Sequence, residues 1–362
     1  MNKKKESALK VNKGIKQPPS VNNDAVKKLQ KKRKKEYSVS EYVEGIIKGD
    51  RSILSQAITL IESSLPKHQI IAQEIIAKCL PYSGNSIRIG ITGVPGVGKS
   101  TFIEAIGKEI TSTGGKLAVL AIDPSSERSK GSILGDKTRM EALSSDKNAY
   151  IRPSPSAGSL GGVARKTRET VVLCEAAGFD TIFIETVGVG QSETAVHSMV
   201  DFFLLLMLAG AGDELQGMKR GIMEMADVIA INKAEGDNIN KANLAKVQYQ
   251  NALHLFPPKK SNWIAKATTC SAISNKGISH IWAMINDYKK LTKENNFFMN
   301  NRREQSKYWM YETINDNLKF HFYNNEDIIN KLKLLEKKVL IGEISSFYAA
   351  KILIDDYYKL KA

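Results

Sequence analysis

Residues 93–100, GVPGVGKS, restrict the possible folds of this chain more than any other segment. They match the pattern G-x-x-x-x-G-K-[ST] and lie between the apolar run IRIGIT and the helix-like segment TFIEAIGKEI. At such a strand-to-helix junction, glycines allow backbone N–H groups to surround a phosphate, and the helix N-terminus favours its negative charge. The segment therefore predicts a phosphate-binding loop. A glycine-rich turn that contains Lys-Ser by chance is the disfavoured alternative.

Individual positions of this loop have expected roles. We expect Lys99 to contact the β- and γ-phosphates of a nucleotide and Ser100 to offer its hydroxyl to Mg²⁺. The other residues of the segment that we expect to contact nucleotide are Gly93, Pro95, Gly96, Val97, Gly98 and Thr101. ATPases of the partitioning and nitrogenase-reductase type carry a second lysine where this chain has Val94, so that class of ATPase is disfavoured.

Short apolar runs recur from Ile87 onward and predict the fold class. They are IRIGITG, KLAVLAID, DTIFIE, DFFLLLML, DVIAIN and WIAKATTC. Runs this uniformly apolar are buried on both faces, as parallel strands are, and they alternate with amphipathic segments such as residues 162–177. The chain is therefore predicted to be an α/β protein with a doubly wound, mostly parallel sheet. Its ligand should lie at the carboxyl ends of the strands.

The remainder of the chain divides by composition. Residues 1–36 hold 13 Lys and Arg against 3 Asp and Glu, and so account for 10 of the formal net charge of +15. We expect this stretch to be a disordered basic tail, with binding to RNA or an acidic surface as the alternative. Residues 37–84 have helical spacing with breaks at Gly49-Asp50 and Pro66, residues 85–294 form the nucleotide-binding domain, and residues 295–362 are again helical.

The cysteines and the hydropathy of the sequence indicate the cellular compartment in which the protein is expected. Cys79, Cys174 and Cys270 are widely separated, with no C-x-x-C and no adjoining His cluster, which disfavours a disulfide framework or a zinc site. We expect them to be buried and reduced. The sequence has no apolar stretch of membrane-spanning length, its N-terminus lacks a secretory signal, and its tail is rich in Lys rather than Arg. A cytoplasmic protein without a membrane partner is expected.

A magnesium triphosphate site also needs carboxylates, because Mg²⁺ prefers oxygen ligands. Asp123 directly follows the strand-like run LAVLAI, and Glu185 ends TIFIE. Asp136 lies in the intervening segment SKGSILGDKTRM, where an ordinary surface acid is an equal alternative. The segment ETVGVGQSE then supplies Gly188, whose backbone can approach a γ-phosphate, and Gln191, which can hold a water. These residues are the candidates that surround the γ-phosphate.

The base-recognition loop is predicted at NKAEGDN, residues 232–238, where a Glu takes the place of the usual Asp. The Glu235 carboxylate can accept hydrogen bonds from guanine N1–H and N2–H₂, which adenine cannot donate. We expect Asn232 to brace the loop and the Lys233 stem to pack against the base. Asp237 would substitute for Glu235 if the loop were shifted. In the companion loop TTCSAISNKG, Ser271 and the Ala272 N–H are expected to support guanine at O6.

Taken together, these segments resemble the MeaB/ArgK-type GTPases, the chaperones of adenosylcobalamin-dependent methylmalonyl-CoA mutase. The resemblance is carried by GITGVPGVGKST, AIDPSS, GDKTRM, RPSPSAGSLGG, ETVGVGQSE and AGAGDELQGMKRGIMEMADVIAINKAEGDN. It runs from about Ser38 to the C-terminus and is densest from Arg88 to Asn238. It implies a P-loop G domain flanked by helical segments, of which the C-terminal one forms a homodimer. It also implies GTP hydrolysis that gates coenzyme transfer to the mutase and rescues inactivated mutase.

The resemblance also assigns residues. It implies that Asp123, Asp136 and Glu185 serve the magnesium site and that Arg139 is a switch arginine near the phosphates. Residues 210–219, GAGDELQGMK, resemble a third switch loop that communicates between nucleotide and mutase through Asp213, Glu214, Gln216 and Lys219. With these assignments, the candidate catalytic residues are Lys99, Arg139, Gln191 and Lys219. Glu235 departs from the family pattern, and the Lys-rich tail lies outside it.

Three alternative functions compete with this interpretation. A nickel-inserting maturation GTPase shares the architecture, but such proteins usually carry Cys or His clusters, and this chain has five scattered His. A nucleic-acid-associated switch GTPase would use the basic tail, although no aromatic residues interleave its basic run. A kinase linked to transport of lysine, arginine and ornithine would need a substrate-binding feature that the sequence does not show.

Overall fold

The computed structural model describes residues 37–122, 140–154, 160–186, 192–210 and 220–359. Its centre is a sheet formed by β1 (Ile87–Gly93), β2 (Leu117–Ile122), β3 (Ala149–Ser154), β4 (Thr181–Thr186), β5 (Phe202–Leu208), β6 (Val228–Asn232) and β7 (Lys266–Thr269). The strand order is β3-β2-β4-β1-β5-β6-β7, and every neighbouring pair is parallel. The predicted parallel sheet is confirmed. β1 lies where the strand order reverses, which is the usual position of a ligand in such sheets.

Helices cover both faces of this sheet. They are α4 (Lys99–Ser112), α5 (Glu141–Ser144), α6 (Leu160–Ala176), α7 (Ser192–His197), α8 (Arg220–Met225), α9 (Ile239–Leu253) and α10 (Ile278–Glu294). On one face Ile89 and Ile91 of β1 pack against α4 and α10 in a large apolar core, here called the main core. On the other face Leu205 of β5 and Ile229 of β6 pack against Tyr249 of α9. The sheet is therefore doubly wound, as its uniformly apolar strands predict.

The N-terminal part of the described chain is helical, and its breaks lie where the sequence places them. The helices are α1 (Val39–Ile47), α2 (Arg51–Glu62) and α3 (Pro66–Cys79), followed by a 3₁₀ turn, Leu80–Tyr82. Asp50 caps α2, because its Oδ1 accepts hydrogen bonds from the N–H groups of Ser52 at 2.8 Å and Ile53 at 3.1 Å. Pro66 begins α3, where its missing N–H has no helical partner to lose.

Three helices follow the sheet at the C-terminal end, namely α11 (Phe297–Tyr323), α12 (Glu326–Leu340) and α13 (Ser346–Lys359). Ile328 and Leu335 of α12 pack with Ala349 and Leu353 of α13 in a small core of their own. The predicted C-terminal helical region is thereby confirmed. None of the described helices is both long and apolar enough to cross a bilayer.

The three cysteines are buried and unpaired, as expected. Burial raises the pKa of Cys79 to about 11 and that of Cys270 to about 12. It raises the pKa of Cys174 as well. At neutral pH these thiols stay protonated, and they act as small apolar side chains of the core.

Candidate nucleotide-binding site

The phosphate-binding loop joins β1 to α4 at the centre of the sheet. Gly96 and Gly98 have φ of +77° and +90°, in the left-handed region that favours glycine. At Gly93 a side chain is excluded by lack of space. A β-carbon there would overlap the carbonyl oxygen of Leu206 and lie 3.0 Å from the Leu206 β-carbon. These three glycines therefore meet specific backbone requirements of the turn.

The remaining loop positions differ in exposure. Val97 is fully buried and packs in the main core, which anchors the middle of the loop. Pro95 and Thr101 are exposed, and Ser100 is half-buried in the first turn of α4. The helix begins with a hydrogen bond from the Phe102 N–H to the Gly98 carbonyl at 2.9 Å. The helix N-terminus therefore opens directly at the loop, as the sequence predicts.

Lys99 lies over the loop that precedes it. Its Nζ donates to the carbonyl oxygens of Gly93 at 2.8 Å and Val94 at 3.4 Å. Burial lowers the pKa of Lys99 below its ordinary value, an effect that the carboxylates of Glu185 and Glu193 partly oppose. A partly desolvated ammonium at a helix N-terminus is suited to binding phosphate oxygens.

Glu185 is the one predicted magnesium carboxylate among the described residues. It lies near the end of β4, in register with Ile91 of β1 and Ala121 of β2, and is 9% exposed. The next residue, Thr186, donates a buried hydrogen bond to the Thr92 hydroxyl at 2.7 Å, which fixes the two strand ends together. The Glu185 carboxylate and the Ser100 hydroxyl are oxygen donors at one sheet edge, and this donor chemistry fits Mg²⁺.

Several predicted site residues lie outside the described residues. These are Asp123, Asp136, Arg139, Gly188, Gln191, Asp213, Glu214, Gln216 and Lys219. Chain connectivity alone relates them to the site, since β2 ends at Ile122 and α7 begins at Ser192. Within the described ranges, no three His, Cys, Asp or Glu side chains come together as a metal site.

Glu193 is a site residue to which the sequence analysis gave no role. It lies in the first turn of α7, is 2% exposed, and its Oε2 has no hydrogen-bond partner within the described part of the chain. Its charge acts on Lys99. The spacing of Glu193 three positions before the buried Val196 places both on one helix face. That spacing is the signal that could have identified it.

Asn232 joins the phosphate loop to the base-recognition loops. It is 2% exposed at the end of β6, and its Nδ2 donates to the Val97 carbonyl at 2.8 Å. Its Oδ1 accepts from the Ala272 N–H at 3.1 Å. One buried amide therefore connects loops that are far apart in sequence. The Ala272 N–H, expected to face guanine O6, donates to Asn232 in this structure.

The residues that follow Asn232 place a carboxylate beside the second loop. Lys233 has φ of +58°, a left-handed conformation uncommon for a residue with a side chain. The Glu235 carboxylate accepts a hydrogen bond from the Ser271 hydroxyl. Asp237, the alternative carboxylate, is exposed. The structure therefore brings Glu235, and not Asp237, to the companion loop.

Ser271 is held in place by its own backbone. It is fully buried, and its N–H and carbonyl pair with the carbonyl and N–H of Lys276 at 2.9 Å and 3.1 Å. Its hydroxyl oxygen accepts from the Ser274 N–H at 3.1 Å. The hydroxyl is thus fixed at the position from which it contacts Glu235. The phosphate-binding loop and the loops that carry Glu235 and Ser271 are therefore joined through Asn232.

Comparison with known proteins gives a family match and similar proteins of known name. Residues 54–327 match the sequence model of a family described as "Methylmalonyl Co-A mutase-associated GTPase MeaB". The Escherichia coli K12 protein "GTPase ArgK" is 46% identical over 292 residues, which cover 81% of this chain and 88% of that protein. The mouse protein "Methylmalonic aciduria type A homolog, mitochondrial" is 44% identical over 331 residues, 89% of this chain and 80% of that protein.

A solved structure shows the same architecture. The crystal structure of "LAO/AO transport system kinase" superposes with a TM-score of 0.72 at 36% sequence identity, and covers 90% of this chain and 99% of that chain. The family match includes both the phosphate-binding loop and the loops around Asn232 and Ser271.

Proposed function

Because this chain belongs to the MeaB family of GTPases and hydrolyses GTP, we propose that it is a chaperone of an adenosylcobalamin-dependent methylmalonyl-CoA mutase. In this proposal, hydrolysis gates delivery of the coenzyme and protects or reactivates the mutase. The observation that carries the proposal is the family match over residues 54–327, whose description names association with that mutase. The name of the mouse relative, which refers to methylmalonic aciduria, supports the same metabolic setting.

The hydrolytic chemistry follows from the charges of the site. Water attacks the γ-phosphorus in line with the leaving GDP oxygen, and the products are GDP and phosphate. Lys99 and the N–H groups of the loop stabilise the negative charge that develops on the phosphoryl oxygens. Gln191 orients the water, and Arg139 and Lys219 add positive charge at the phosphates when the partner is bound. Mg²⁺, held by Ser100, Asp123, Asp136 and Glu185, would supply further positive charge.

Base selection depends on Glu235. Its carboxylate accepts hydrogen bonds from guanine N1–H and N2–H₂, while the Ser271 hydroxyl, which donates to that carboxylate, orients it. Lys233 contributes the aliphatic part of its side chain to the face of the base, and Ser271 and Ala272 border guanine O6.

The proposed assembly is a homodimer formed through residues 295–362. Large apolar side chains on these helices lie outside the small core of α12 and α13. Leu340 is 84% exposed, Ile341 75% and Phe347 87%. Such side chains in one region favour a protein–protein contact. The helices of residues 295–362, here called the helical arm, thus provide a surface for a second copy of the chain. The loops of the nucleotide site remain available to the mutase.

GTP turnover measured with and without the mutase of the same organism tests this function. We expect the mutase to raise turnover at least tenfold, because a charge inserted by a partner contributes about 10³–10⁵ in related GTPases. The Lys99→Ala variant with the mutase serves as the control and should show no stimulation. Turnover of the wild-type protein that the mutase leaves unchanged contradicts the proposed coupling.

A further inference from the structure

The long helix α11 holds the backbone that follows α7. The Trp309 indole Nε1 donates to the Ser198 carbonyl at 3.1 Å, and the Gln305 Nε2 donates to the Val200 carbonyl at 2.7 Å. Arg302 donates to both carboxylate oxygens of Asp201, at 2.7 and 2.6 Å. The spacing of these three helix residues places them on one face of α11. The segment 198–201 is therefore attached to α11 at three of its four residues.

The same helix is fixed to the body of the sheet. Arg302 is 7% exposed and also donates to the carbonyls of Gly84 at 2.7 Å and Ser86 at 2.8 Å, directly before β1. The Arg168 guanidinium of α6 lies over the Trp309 ring, 4.9 Å from its centroid. Because its anchors lie directly before β1 and on α6, α11 is a fixed reference against which segment 198–201 is held.

The N-terminal end of α7, opposite the end that precedes segment 198–201, lies at the nucleotide site. This helix has six residues, and at about 1.5 Å per residue it spans roughly 9 Å. Glu193 at its start is buried and acts electrostatically on Lys99, whereas His197 at its end directly precedes the segment held by α11. In the middle, Val196 packs against β1, since a β-carbon on Gly90 would lie 3.0 Å from it. A displacement of either end of this short helix therefore moves the other end.

The contact between α11 and the segment that follows α7 borders a cavity. The cavity has a volume of about 440 Å³ and is lined in part by His197, Ser198, Gln305, and Gly221 and Glu224 of α8. Within the described residues, the buried Gln305 Oε1 has no hydrogen-bond partner. The junction therefore depends on a few directed hydrogen bonds and not on continuous packing.

We propose that Gln305 and Trp309 are positioning residues for GTP hydrolysis, which hold α7 so that the Glu193 carboxylate keeps the position from which it acts on Lys99 during turnover. This inference rests on the proposed chemistry of that site. It gives the C-terminal helices a direct connection to the nucleotide. Because coupling between two sites is reciprocal, a change in α11 alters the relative affinity for GTP and GDP, and nucleotide exchange alters the contacts of α11.

The test uses the full-length chain and a double variant, Gln305→Leu with Trp309→Phe, which removes both donors while keeping an aromatic ring at position 309. The matched control is Tyr311→Phe, which removes an exposed hydroxyl from the same helix. We expect the double variant to lower kcat at least fivefold with KM within twofold of wild type. We also expect its ratio of affinities for a non-hydrolysable GTP analogue and GDP to change at least threefold. A purely structural role would leave kcat of the folded fraction and that ratio unchanged.

A measurement on the wild-type protein provides a second readout that needs no variant to fold. In the ¹⁵N-labelled chain, the indole N–H signal of Trp309 should shift between the GDP and GTP-analogue states. That of Trp282, which packs in the main core, should shift less. Single Trp→Phe variants assign the signals. An unmoved Trp309 signal together with wild-type kcat in the double variant overturns the inference. Failure of the wild-type protein to bind guanine nucleotide would instead refute the proposed function.

Discussion

At the scale of single residues, Asn232 is the polar side chain on which the geometry of the nucleotide site most depends. Replacing it with Ala leaves the Val97 carbonyl and the Ala272 N–H without their side-chain partner in a buried setting. Each such group costs about 1–3 kcal/mol. We therefore expect Asn232→Ala to lower the unfolding free energy by about 2–4 kcal/mol and to weaken GDP binding, measured by urea denaturation and fluorescent-nucleotide titration. The control Asn243→Ala, an exposed change on α9, should have little effect. Equal stability of the two variants would refute the bracing role.

Glu235 provides a second prediction at the same scale. A Gln at this position cannot accept both hydrogen bonds from guanine, and a hydrogen bond to a charged group is worth about 1.5–3 kcal/mol. Glu235→Gln should therefore weaken GTP binding roughly 10- to 100-fold and improve binding of xanthosine triphosphate relative to GTP. Competition against a fluorescent guanine nucleotide measures both. Glu235→Asp is the conservative control and should keep the preference for guanine, whereas unchanged GTP affinity in the Gln variant would assign base selection to another residue.

At the scale of elements, α11 is joined to the sheet by a buried ionic network. Arg302 binds Asp201, while Glu175 accepts from Arg88 at 2.9 Å through each of its oxygens and lies 3.7 Å from Arg302. Removing one member of such a network leaves a buried charge without its partner. This lowers the free energy of unfolding by about 3–5 kcal/mol. Arg302→Ala should lower the unfolding free energy by that amount in urea denaturation. Arg303→Ala, one residue further and exposed, should change it by less than about 0.5 kcal/mol. Similar values for the two variants would show that the network is not an anchor.

The elements also show what the sequence could predict. Six strands coincide with the six apolar runs, because strands buried on both faces have no polar positions to interrupt the pattern. The edge strand β3 was not predicted, since its sequence AYIRPS contains Arg152 and Pro153. Both are tolerated at an edge, where one side of the strand is unpaired. The run WIAKATTC overestimates β7, which begins only at Lys266.

The site was predictable in its local motifs but not in its tertiary contacts. The glycine-rich loop and the carboxylate after a buried strand are local patterns, so Lys99 and Glu185 could be placed at one sheet edge from sequence alone. The bonds of Asn232 to Val97 and Ala272 connect positions separated by 135 and 40 residues. No periodicity encodes them. Glu193 was missed because an acid in the first turn of a helix is ordinarily interpreted as a cap or a surface residue.

At the scale of the whole molecule, the exposed apolar side chains of the helical arm predict self-association. Phe347→Asp places a charge at the most exposed large apolar position of α13 and should convert a dimer into a monomer in sedimentation equilibrium. Because Phe347 lies outside the nucleotide site, the basal turnover should stay within about twofold. Leu255→Asp, an equally drastic change at a 75% exposed position outside the arm, is the control and should remain dimeric. A Phe347→Asp variant that sediments like the wild-type protein would place the interface elsewhere.

Across the whole chain, the proposed function depends on one site that binds guanosine triphosphate at the loop between β1 and α4 and hydrolyses it. Phosphate release from GTP and from ATP, measured side by side for the wild-type protein and Lys99→Ala, tests this most directly. We expect turnover of GTP to exceed that of ATP by about 10³ or more, since Glu235 rejects adenine. We also expect Lys99→Ala to abolish turnover. Equal turnover of ATP, or undiminished GTP turnover in Lys99→Ala, would contradict it.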